Sequence, residues 1–103
     1  MKSMATGGGR IFITGGASGL GRALAERYAR AGWRVCIGAL DAARCADALA
    51  AVRVHSPQSQ ALACDVTRED AVQAAADWLQ REWGGVDVVV NNAGVAQMGG
   101  IAD

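Results

Sequence analysis

Apolar residues recur along this chain in two alternating periods. Ile11-Phe12-Ile13 is an unbroken apolar run inside residues 10–14, which suits a strand covered on both faces. Across residues 20–31 the spacing becomes helical, with Leu20, Ala23, Leu24, Tyr28 and Ala31 on one stripe and Arg22, Glu26 and Arg30 opposite. Gly32 supplies the stop, and residues 34–38 predict a second strand. Asp41 is placed to cap a second helix that turns Cys45, Ala48, Leu49 and Val52 inward, before the breaker segment 55–60. Residues 61–64 predict the third strand. Thr67-Arg68-Glu69-Asp70 has the form of a capping box and heads a third helix with Val72, Ala75, Ala76, Leu79 and Trp83 inward, ended by Gly84-Gly85. Residues 86–90 predict a fourth strand, with Asp87 near its start and Asn91-Asn92-Ala93-Gly94 directly after it.

Strand alternating with helix predicts an α/β fold, a doubly wound parallel sheet with right-handed crossovers. No linker, repeat or low-complexity segment interrupts the alternation, so residues 10–103 read as one unit behind a flexible start, 1–9. Ligands of such sheets lie at the carboxyl ends of the strands. Those ends carry residues 14–21, residues 38–41, Asp65-Val66 and residues 91–94.

The stretch Thr14-Gly15-Gly16-Ala17-Ser18-Gly19-Leu20-Gly21 joins the first strand to the first helix. Glycines there allow a ligand to approach the backbone, and the first helical turn offers unpaired N–H groups to a phosphate. A nucleotide is implied. The P-loop reading fails, because Arg22-Ala23 stand where Lys and Ser/Thr must hold phosphate and Mg²⁺. The fingerprint G-x-G-x-x-G/A matches imperfectly, since Leu24 takes its third small position. Thr-Gly-x-x-x-Gly-x-Gly fits throughout, and on it the chain resembles the short-chain dehydrogenase/reductase family. The glycine spacing of nucleotide-sugar epimerases, Thr-Gly-x-x-Gly-x-x-Gly, is one residue shorter at its first gap.

That resemblance implies a Rossmann-type sheet of about four strands in the order 3-2-1-4 with three helices, the fourth strand an apolar edge compatible with a homo-oligomer. It implies that Gly15, Ser18, Gly19, Leu20 and Gly21 hold the cofactor's phosphates. Asp65 and Val66 would meet the adenine, although Asp65 also reads as an acid beside a Thr67 cap. Asn92, Ala93 and Gly94, in the family's Asn-Asn-Ala-Gly, would line the ribose side. The implied cofactor is NAD or NADP. An acid at the end of strand two selects NAD in relatives, and Ala39 stands there. Ser18 in place of a basic residue, together with nearby Asp41, leans the choice to NAD. The implied activity is hydride transfer between a nicotinamide and an alcohol or carbonyl compound. A non-catalytic dinucleotide-binding or redox-sensing module shares every motif. No catalytic residue is assigned within the 103 residues: the family's Tyr-x-x-x-Lys is absent, the sole tyrosine, Tyr28, has Gly32 four residues on, and the sole lysine is Lys2. The chain is therefore expected to be an amino-terminal piece of such an enzyme, inactive alone.

Composition narrows the picture further. Ten basic residues balance ten acidic ones, so no field steers the chain to nucleic acid or an anionic membrane. The apolar run after residue 9 is too short for a signal peptide, and no transmembrane stretch occurs. Cys36, Cys45 and Cys64 are odd in number and lack C-x-x-C spacing, so they read as reduced, buried small hydrophobes in a cytoplasmic protein. His55, the single histidine, has no second nitrogen with which to build a metal site.

Overall fold

The structure is a computed structural model and describes residues 8–17 and 19–92. Strand β1 (Arg10–Thr14) leads into helix α1 (Gly19–Arg30) and strand β2 (Arg34–Ala39). A 3₁₀ turn (Ala42–Cys45) opens helix α2 (Ala46–Arg53), then come β3 (Gln60–Ala63), α3 (Glu69–Trp83) and β4 (Val88–Asn91). All strand pairs are parallel, in the order β3-β2-β1-β4.

Alternation along the two central strands divides the core. Ile11, Ile13, Val35 and Ile37 face α1 and α2, where Ala25, Ala29, Ala48 and Val52 are buried against them. Phe12 and Cys36 face the other way, toward Ala75 and Leu79 of α3. This is the period-2 consequence of a sheet covered on both sides.

Helix α1 does not bury the stripe expected from its large apolar residues. Gly21, Ala25 and Ala29 are the buried positions, Leu24 and Tyr28 flank them half-buried, and Leu20 is 68% exposed, with Ala23 and Ala31 exposed too. Small side chains win the inner face because they let the helix axis lie close to the sheet. On α3 the buried pair is Ala75 and Leu79, with Trp78 and Trp83 packed at its margin and Val72 and Ala76 outward. The expected capping box does not form. Arg68 takes the N-cap position without a side-chain bond, because the Thr67 hydroxyl donates instead to Asp65 Oδ1 at 2.6 Å. Strand β3 begins and ends one residue earlier than its pattern predicts, and β4 is paired from Val88.

At the amino end of the sheet Arg10 and Asp87 clasp β1 to the start of β4. Arg10 N and Nε both donate to Asp87 Oδ2, at 2.8 and 3.0 Å, and Nη2 donates to Oδ1 at 3.1 Å. Nη1 donates to the Trp83 carbonyl at 2.9 Å, and Asp87 N donates back to the Arg10 carbonyl at 2.9 Å. Hydrogen bonds from the Arg10 side chain and backbone hold the Asp87 carboxyl below the usual carboxylate range. A carboxyl depressed in the folded state contributes stability that is present above its unfolded value of about 3.9 and is lost as pH falls through the folded value. Asp87→Asn is therefore expected to melt lower than the parent at pH 7 and to show a shallower loss of melting temperature between pH 5 and pH 2. Melting curves by circular dichroism across that range check this, and parallel curves for the two proteins would refute it.

Candidate functional site

The carboxyl ends of β1 and β4 are tied together before the chain turns. Thr14 Oγ1 donates to Asn91 Oδ1 at 3.0 Å, with the Val90 carbonyl at 3.3 Å. Gly15 N continues the ladder to the Gly38 carbonyl at 2.7 Å. The chain then reverses through positive φ, 71° at Gly15 and 60° at Gly19. A side chain at either position would be strained.

The glycines of the turn divide into two duties. A Cβ on Gly21 would lie 2.1 Å from the Gly15 carbonyl oxygen and 2.9 Å from Asn92 Nδ2, so Gly21 exists for the close approach of helix to turn. A Cβ on Gly16 would press Ile37 Cγ2 at 2.9 Å for a similar reason. Among the described residues, a Cβ on Gly19 meets no atom within 4 Å beyond its chain neighbours and its own helix backbone. Space beside Gly19 is thus open just where α1 begins, and the first turn of α1 carries no acidic residue. The first turn of any α-helix has N–H groups without intrahelical partners and carries the positive end of the helix dipole.

Asn92 completes the closure, donating from Nδ2 to the Gly15 carbonyl at 3.4 Å. Gly15, Gly21 and Asn92 are therefore brought together around one carbonyl oxygen. Leu20 is exposed beside them. Ser18, Ala93 and Gly94 lie outside the described residues.

Asp65 and Val66 follow β3, two strands away from the glycine turn. Asp65 Oδ1 accepts from Thr67 Oγ1 at 2.6 Å and Thr67 N at 3.0 Å, and these bonds hold its carboxyl below the usual range. It is an ionised acceptor fixed in direction by its own loop. Val66 is half-buried against the α3 face of the core. A groove of about 690 Å³ lined by Val66, Thr67, Glu69, Asp70, Val72 and Gln73 opens next to them. At the end of β2, Ala39 accepts from Cys64 N at 2.7 Å, and Asp41 Oδ1 accepts from Ala43 N at 2.9 Å as the cap of the 3₁₀ turn. The bond from Thr14 to Asn91 was not foreseen from sequence. Its signal is a polar residue ending each of two apolar strands, which becomes informative once the strands are known to be neighbours.

The family model for short chain dehydrogenases matches residues 10–103. The chain belongs to this family. D-threitol dehydrogenase of Mycolicibacterium smegmatis is 44% identical over 88 residues, covering 84% of this chain and 34% of that enzyme. L-sorbose reductase of Gluconobacter frateurii, solved with NADPH and L-sorbose, superposes with a TM-score of 0.80 at 31% identity, over 87% of this chain and 35% of its own. NAD⁺-bound xylitol dehydrogenase superposes with a TM-score of 0.75 at 28% identity, over 79% and 31% of the two chains. The present chain spans about a third of the length of these short-chain dehydrogenases, and the sheet order 3-2-1-4 is that of a Rossmann-type fold.

Gly21→Ala is expected to destabilise the fold by about 2 kcal/mol through overpacking against the Gly15 carbonyl. Urea unfolding checks this, and a variant with an unshifted midpoint would show that the helix can move away without cost.

Proposed function

We propose that this chain is the dinucleotide-holding part of an oxidoreductase that moves hydride between a nicotinamide and an alcohol or carbonyl substrate. The observation that carries the proposal is the space beside Gly19 at the start of α1, which among the described residues is open, where the backbone is in the left-handed region and the first turn of α1 holds no acid. A pyrophosphate fits there on charge and on space. In this reading Gly15, Ser18, Gly19 and Leu20 surround the phosphates, while Gly21 keeps the helix close enough for its N–H groups to reach them. Asp65 accepts from the adenine amine beside Val66, and Asn92 with Ala93 and Gly94 lines the ribose side. The cofactor, when bound, supplies the hydride acceptor or donor. The residues of this chain bind and orient it.

Tyr28 has a packing role. Its ring meets Trp33 edge-on, with centroids 5.0 Å apart, on the α1 face of the core. Proton transfer to substrate falls to residues other than these. For the cofactor, relatives solved with NADPH and with NAD⁺ are both similar to this chain. The Asp41 carboxylate near the end of β2 would repel a 2′-phosphate, so NAD is the proposed partner. The three free thiols are all buried, and burial pushes Cys36 up to about 12, which suits a reducing compartment such as the cytoplasm. Among the described residues β4 is an outer strand of the sheet, and its edge is where copies would associate.

Calorimetric titration with NADH and NADPH tests the reading. NADH is expected to bind the more tightly, and the reverse order would refute the NAD assignment alone. Gly19→Val fills the open space but also strains a positive φ, so Gly19→Asn, which tolerates that region, is measured beside it with a melting curve for each. Both are expected to weaken NADH by at least about tenfold. Unchanged affinity in a folded Gly19→Asn protein would overturn the phosphate turn.

A further inference from the structure

The opposite end of the sheet holds a second concentration of polar groups. Arg10 and Arg34 are register partners at the starts of β1 and β2, and two like charges on neighbouring strands repel. Arg10 is compensated by Asp87 and by the Trp83 carbonyl. Arg34 is not: among the described residues its guanidinium forms no ion pair, and Cζ lies over the Trp83 ring, 5.4 Å from its centroid. Stacking of that kind occupies the face of the guanidinium and leaves its N–H edges to bind in the ring plane. Arg10 Nη1 answers the carboxyl end of α3 through the Trp83 carbonyl, whereas among the described residues the Arg34 side chain donates no hydrogen bond and only its backbone N–H is engaged, with the Gly9 carbonyl at 2.9 Å.

A cavity of about 580 Å³ opens on this arginine. His55, Ser56 and Gln58 line it together with Arg10, Arg34 and Trp83, and among the described residues its lining contains no carboxylate. A groove with an uncompensated, pre-oriented guanidinium, further hydrogen-bonding side chains and an aromatic wall has the chemistry of an anion site. We propose that this groove binds a small organic anion bearing a phosphate or carboxylate group, with the Arg34 fork as its anchor and His55 and Gln58 as flanking polar contacts. The site is separate from the glycine turn and does not depend on the dinucleotide reading.

Titration of ¹⁵N-labelled protein with inorganic phosphate and, separately, with succinate at matched ionic strength tests it, since the amides of the two ends are read independently. Saturable shifts are expected at Gly32, Arg34, His55 and Gln58, and the probe that saturates at lower concentration identifies the head group. Arg34→Gln, whose fold is verified in the same spectra, is expected to weaken that binding by at least about tenfold. Shifts confined to Gly19, Leu20 and Gly21, no saturable shift with either probe, or equal affinity in Arg34→Gln would each overturn the proposal.

Discussion

How near helix α1 comes to the Gly15 carbonyl governs the carboxyl end of this sheet. That oxygen would touch any side chain at Gly21 and accepts from Asn92, so β1, α1 and the segment after β4 share one atom as their point of closest contact. Each additional carbon would push the helix start away and open the end of the sheet. Close packing makes such positions all-or-none, because an interior near crystalline density has no slack to absorb a displaced backbone. The small residues Ala25 and Ala29 extend the same constraint along the helix.

The two ends of the sheet are held by different physics. At the carboxyl end a neutral side-chain bond from Thr14 to Asn91 and a ring of close backbone contacts fix β1 against β4. At the amino end the fastening is ionic and exposed, and the Arg10 clasp is worth more for its geometry, with backbone and side-chain bonds converging on Asp87, than for its charge. A pair of buried hydroxyls adds to this end: Ser59 Oγ accepts from Val35 N at 3.0 Å and meets Ser56 Oγ at 3.0 Å, satisfying the start of β2 where no strand residue could.

The alternation of apolar runs and helical stripes made the fold legible, down to the order of the strands through the family resemblance. Strand boundaries moved by one or two residues because pairing partners, and not the local pattern, decide where a ladder begins. The inner face of α1 was misread for a physical reason. Periodicity weighs Leu20 and Leu24 above Gly21, Ala25 and Ala29, yet proximity to a glycine turn rewards the absence of side chain. The capping box failed similarly, since Thr67 had a competing acceptor two residues back in Asp65. At the site, the special geometry of Gly15 and Gly19 was visible as glycine alone, whereas the packing duty of Gly21 needed the position of the Gly15 carbonyl.

Strand β1 lies between two neighbours that the chain supplies at very different times. Arg10 meets Arg34 on one side, while Ile11 meets Val88 on the other. Closing the longer loop costs about 1 kcal/mol more than closing the shorter, since loop entropy grows only with the logarithm of length. Synthesis adds a second asymmetry. At a translation rate of about 5–20 residues per second, the roughly fifty residues between the two partners take several seconds to emerge. Through that interval the β4-facing edge of Ile11-Phe12-Ile13 has no strand beside it, so a stretch that ends buried spends the birth of the protein as an open edge.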